Sequence, residues 1–250
     1  MTTSRTSTPR FVEAEPDGTL DPAAVRAAAS DDTAAIVVNS PNNPTGAVYG
    51  RDVKRELVAI AEAHDALFVS DEVYDHFVFE DGAFASSLEF DSEAVVVTNS
   101  FSKSMAITGF RVGYAVVPGW LMDAVRTRHM LVNVAGSRPA QHAVLRALRE
   151  TPAAYYEANR ELVADRVDAF CAALETAGAE FTRPSGGFYV MARFDGYPGT
   201  LANARRLIDE AGVAGMPGET FGTSREAWLR FAMVTPRAEE AADRLASYFA

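Results

Sequence analysis

The chain has 250 residues, 48% of them hydrophobic, enough to build one large domain or two small ones around a sizeable core. Its formal net charge of −11 argues against a polyanionic partner such as nucleic acid, and its single cysteine, Cys171, excludes an internal disulfide. No apolar run approaches the about 18 residues of a membrane span, and residues 1–10 lack the apolar stretch of a signal peptide, so a cytoplasmic location away from membranes is expected.

Residues 1–20 read as a tail and loop. Asp21-Pro22-Ala23 opens a short helix, with Asp21 as its cap and Pro22 in its first turn. Ala34 to Asn39 is a continuous apolar run, as expected of a strand covered on both faces. The turn-rich Ser40-Pro41-Asn42-Asn43-Pro44-Thr45-Gly46 follows. Val53, Leu57, Ile60 and Ala61 recur at helical spacing, which predicts an amphipathic helix over 51–64. Buried strands are then expected at 67–70, 93–98 and 112–117. This alternation of strands and helices implies an α/β layer fold with a mostly parallel sheet. Past it, helical patterns run over 120–148 and 153–177. Strands at 188–192 and 228–233 flank a helix at 201–211 and a Gly/Pro-rich loop at 215–222, and a last helix starts near 238. A boundary near 150 divides residues 21–150 from a smaller α+β domain at 151–250.

The chemistry gathers at the ends of these strands. Of the 23 lysines and arginines, only Lys54 and Lys103 are lysines. Lys103 lies in Ser100-Phe101-Ser102-Lys103, just past a predicted buried strand. A lysine amine can condense with an aldehyde, whereas a guanidinium stays protonated and cannot. Arg111 follows eight residues later, and with Ser100 it suits a phosphate. A reactive amine beside a phosphate cradle points to pyridoxal phosphate. Asp71, in Ser70-Asp71-Glu72-Val73-Tyr74, is a carboxylate at a strand's carboxyl end; it could pair with a pyridinium N–H or simply cap a helix. Asn43 and Tyr74 could hold a ring oxygen, although an Asn-Pro pair is also an ordinary turn. Arg230, in Trp228-Leu229-Arg230-Phe231-Ala232, is costly in an apolar strand unless it meets an anion, either a substrate carboxylate or a structural partner. His64, His76, His129 and His142 have no metal-ligand spacing, so no metal is expected.

In this order the motifs resemble the class I/II aminotransferases of the fold-type I pyridoxal-phosphate superfamily. Pro184-Ser185-Gly186-Gly187-Phe188-Tyr189 and Met216-Pro217-Gly218-Glu219-Thr220-Phe221-Gly222 extend the resemblance, which runs from about residue 11 to the end. It implies part of that superfamily's large-domain sheet followed by a smaller domain, and a homodimer in the complete enzyme. It also implies amino-group transfer between an amino acid and a 2-oxo acid. By it, Lys103 is the Schiff-base lysine, Asp71 faces the pyridine nitrogen, Asn43 and Tyr74 hold the ring oxygen, Ser100 and Arg111 hold the phosphate, and Arg230 grips the substrate α-carboxylate.

Members of that family carry a long portion before the strand at Ala34, with a phosphate loop and an aromatic that stacks on the cofactor. Residues 1–20 hold no Gly-rich loop and only one aromatic, Phe11. The chain is therefore expected to be the C-terminal part of an aminotransferase, with strand edges at 34–39 and 112–117 left without partners. Two rivals stand beside transamination: another reaction on the same scaffold, such as C–S lysis or decarboxylation, and a non-catalytic fragment.

Overall fold

The computed structural model describes residues 7–249; the first residues of the predicted tail, 1–6, lie outside them. Helix α1 (Pro22–Ala28) starts where Asp21 accepts a hydrogen bond from the Ala23 N–H. Strand β1 (Ala35–Asn39), helix α2 (Arg51–Ala63), strand β2 (Leu67–Asp71), strand β3 (Val95–Ser100), a single turn α3 (Phe101–Ser104) and strand β4 (Gly113–Val116) follow. They form a four-stranded sheet in the order β1-β2-β3-β4, with β1, β2 and β3 parallel and β4 antiparallel to β3. The mostly parallel α/β reading holds.

Two burial expectations do not. Val37 on β1 is 69% exposed, because Ile36 and Val38 pack beneath α2 while, among the described residues, no layer covers the opposite face of the strand. Strand β4, expected to be buried, is exposed along all four of its residues. An apolar run shows that a strand can be covered on both faces, but not that a layer lies over each of them.

The predicted 120–148 helix is two helices, α4 (Met122–Asn133) and α5 (Arg138–Glu150). The chain breaks at Val134, whose φ of 58° is left-handed, and restarts where Ser137 caps α5. Helix α6 (Ala153–Thr176), strands β5 (Glu180–Phe181) and β6 (Tyr189–Arg193), helix α7 (Leu201–Ala211), strands β7 (Met216–Pro217) and β8 (Leu229–Ala232) and helix α8 (Ala238–Phe249) complete the chain. The four strands make a second, antiparallel sheet in the order β5-β6-β8-β7. The 215–222 stretch, predicted as loop throughout, thus supplies one edge of this sheet.

Two apolar cores result. One lies between α2 and the first sheet and includes Leu57, Ile60, Phe68 and Val97. The other packs α6 and α8 on the second sheet and includes Val167, Phe170, Leu229 and Leu245. Tyr74 and Phe77, from the turn after β2, are buried in the second core. That turn joins the two halves, and Gly187 N–H donates to Phe77 C=O across the seam at 2.7 Å. Gly186 has to be glycine here, since a Cβ would stand 2.7 Å from the Phe77 carbonyl oxygen.

Candidate active site

The parallel register of the first sheet sets one end of the site. Asn39 pairs with Asp71, and Asp71 with Thr98, so the carboxyl ends of β1 and β2 lie level and β3 runs two residues past them to Ser100. Ligands gather at such an edge. The Asn39 side chain ties two of these ends together: its Nδ2 donates to Asp71 C=O at 3.1 Å and its Oδ1 accepts from Asn43 N–H at 2.8 Å.

Asp71 does not cap a helix. Its Oδ1 accepts from Val73 N–H at 3.2 Å, the short local bond of an Asx turn. Burial pushes the carboxyl above the usual carboxylate range, the Val73 bond opposes this, and the neighbouring Glu72 adds to the rise. Three residues on, Tyr74 is buried edge-on against Phe188 and Tyr189, with ring centroids at 5.1 and 5.8 Å. Its hydroxyl lies 3.4 Å from that of Tyr189, and burial together with this contact pushes the Tyr74 phenol up. Lys103 Nζ stands 5.9 Å from the Tyr74 ring centre and 5.7 Å from that of Phe188. Among the described residues it has no acceptor and no carboxylate partner.

Ser100 ends β3 and pairs with Gly113 at the start of β4. The antiparallel turn-back therefore brings Arg111, two residues before Gly113, to the same end of the ladder. Arg111 is exposed, with a left-handed φ of 55°, and its guanidinium is held locally by Thr108 C=O at 2.8 Å. Such backbone positions cluster at functional sites. Ser100 makes no side-chain capping bond to α3. Its N–H donates to Asn99 Oδ1, and Asn99 Nδ2 donates to Asp75 Oδ2 at 2.9 Å, which links this end to the turn carrying Tyr74.

Arg230 comes from β8, in the second sheet. Its Nη1 donates to Asn43 Oδ1 at 2.9 Å, across 187 residues of sequence. The guanidinium lies 4.2 Å over the Tyr189 ring and 5.2 Å from that of Phe221. It has no ion pair among the described residues, and its buried Nε has no hydrogen-bond partner. A structural salt bridge therefore does not account for it. The aromatic walls from Phe188, Tyr189 and Phe221 were not singled out in the sequence as site residues, although all three lie in stretches that carried the resemblance.

The structure thus brings Asn43 to Arg230, and Tyr74 to Tyr189 and Lys103, while Asp71 and the Ser100–Arg111 pair stand at the same strand ends without touching them. The donor set suits pyridoxal phosphate: an unpaired amine, a half-buried carboxylate, a phenol, a serine and arginine for phosphate, and a second, unpaired guanidinium.

Comparison with known proteins gives the same direction. The family model described as aminotransferase class I and II matches residues 2–248. Aspartate/prephenate aminotransferase of Thermus thermophilus is 37% identical over 229 residues, covering 90% of this chain and 59% of that protein. Aromatic-amino-acid aminotransferase 2 of Thermococcus litoralis is 32% identical over 226 residues, covering 85% and 56%. The structure of Thermus thermophilus aspartate aminotransferase with maleate matches with a TM-score of 0.87 at 35% identity, covering 94% of this chain and 63% of that one. The chain spans less than two thirds of the length of these relatives.

Proposed function

Since the chain belongs to the class I and II aminotransferases, we propose that it carries the lysine, the ring-nitrogen carboxylate and the carboxylate-binding arginine of a pyridoxal-phosphate-dependent amino-group transfer. The observation that carries this reading is the Arg230 guanidinium, walled by aromatic rings and bound to Asn43, with a buried Nε still unpartnered. A half-buried cation whose buried Nε lacks a partner is costly unless an anion completes it, and the α-carboxylate common to amino acids and 2-oxo acids matches its fork.

Lys103 would hold the cofactor's aldehyde end, Asp71 its ring nitrogen, Asn43 and Tyr74 its ring oxygen, and Ser100 and Arg111 its phosphate. The cofactor, when bound, supplies a protonated ring that accepts the electron pair left at the substrate Cα. Asp71 keeps the proton on the ring nitrogen, as a carboxylate in a partly buried site does for a cationic partner. Lys103 Nζ takes the Cα proton and returns it as a general acid and base. Asn43 orients Arg230, so the carboxylate is gripped from a fixed direction. Relatives named for aspartate, prephenate and aromatic amino acids support dicarboxylic or aromatic amino acids and their 2-oxo acids as the substrates, and a homodimer is the expected assembly of the whole protein.

The test is to incubate the chain with pyridoxal phosphate, 15N-labelled aspartate and 2-oxoglutarate. Label in glutamate supports the reading. Release of ammonia or carbon dioxide without any need for the 2-oxo acid would assign a lyase or decarboxylase instead.

A further inference from the structure

The second lysine of this arginine-rich chain is fully buried on α2. Lys54 Nζ lies 3.1 Å from Glu72 Oε1, donates to Ala85 C=O at 2.8 Å and sits 4.1 Å over the Phe84 ring. Three donors therefore meet two acceptors and a ring face, an arrangement that fits a compact ammonium and would leave part of a five-donor guanidinium unsatisfied. Glu72 is buried as well. Besides Lys54, it accepts from Ser70 Oγ at 2.9 Å, Ser86 Oγ at 2.7 Å and Ser87 N–H at 2.8 Å. Glu72 N–H still donates to Thr98 C=O, so the chain runs extended past Asp71 and the two neighbouring carboxylates turn to opposite sides.

We infer that the Lys54–Glu72 pair is a positioning device for Asp71: it locks the segment that presents the Asp71 carboxylate and offsets part of the charge of the carboxylate beside it. The inference rests on the reading of Asp71 as the ring-nitrogen partner. Asp71, Glu72 and Asp75 place three carboxylates within five residues, with Tyr74 and His76 between and after them. From the packed helix only Lys54 among the charged groups faces them, and Glu72 and Asp75 both act on it. Burial favours a neutral Asp71, and an uncompensated Glu72 would favour it further. A protonated Asp71 could not accept a ring N–H.

The experiment follows the Asp71 carboxyl carbon by NMR through a pH titration of the 250-residue chain, assigned with Asp71→Asn. It needs no cofactor, so its outcome is separable from that of the amino-transfer test. In Lys54→Met, Ser70, Ser86 and Ser87 keep Glu72 ionised, and the Asp71 midpoint should rise by about one unit or more. Glu72→Gln should lower it, and Lys54→Met/Glu72→Gln should return it close to the unsubstituted chain. Should Lys54→Met fail to give a dispersed amide spectrum, Glu72→Gln and the double variant carry the same contrast. An Asp71 midpoint that ignores Glu72→Gln, or one that shifts equally in the single and double variants, would reduce the pair to packing.

Discussion

The two sheets are built from equally apolar strands and end in opposite conditions. In the second sheet four of the five β6 residues are buried, and α6 and α8 close over them. In the first sheet β4 is exposed throughout and Val37 faces outward. The difference tracks the site. Arg230 and Tyr189, proposed to hold the substrate's anion, stand on the closed sheet, while Ser100, Lys103 and Arg111 stand at the open one. The group proposed to fix direction is built on the sheet with the closed core, and the turn at Tyr74 packs against that core.

Several substitutions sharpen or break that contrast. The largest effect belongs to Lys103→Ala, which removes the one unpaired amine of the site; amino transfer should fall by about 10²–10⁴-fold for the lost proton transfer alone, read as initial rate of glutamate formation. Phe170→Ala in the closed sheet's core should cost about 3–5 kcal/mol in chemical denaturation, whereas Val37→Ala on the open sheet should stay within about 0.5 kcal/mol. Equal losses would erase the distinction between the sheets. Arg230→Lys gives up the two-pronged fork, so KM for amino acids should rise by about 10–100-fold, the worth of one charge-assisted hydrogen bond. An unchanged KM would return Arg230 to a structural role. Smallest is Tyr189→Phe: it keeps the ring under Arg230 and loses only a 3.4 Å hydroxyl contact, so it should change stability by less than about 1 kcal/mol and leave KM in place.

Much of the candidate site was legible as a place in the fold because its residues follow apolar runs in sequence. Asn43, Asp71 and Ser100 each come within a few residues of a strand's end, so the strand pattern predicted the edge on which they stand. Tertiary facts were not legible in the same way. The Arg230–Asn43 bond spans 187 residues, and no local pattern encodes it. Exposure of β4 depends on which layer lies over it, not on its own apolar residues such as Tyr114 and Val116. The break at Val134 is hidden because helical periodicity continues on both sides of it. Strands β5 and β7 are two residues each, too short to alternate. Lys54 did leave a signal: it falls on the stripe with Leu57, Val58 and Ala61 at i+3, i+4 and i+7, the face that α2 buries.

The claim that Lys103 is the reactive amine is tested most directly by borohydride reduction of the chain mixed with pyridoxal phosphate, followed by peptide mapping. The account predicts a single phosphopyridoxyl group, on Lys103, because Lys54 is sealed beneath α2 with its protons already engaged. Stoichiometric label on Lys54, with Lys103 unmodified, would contradict it.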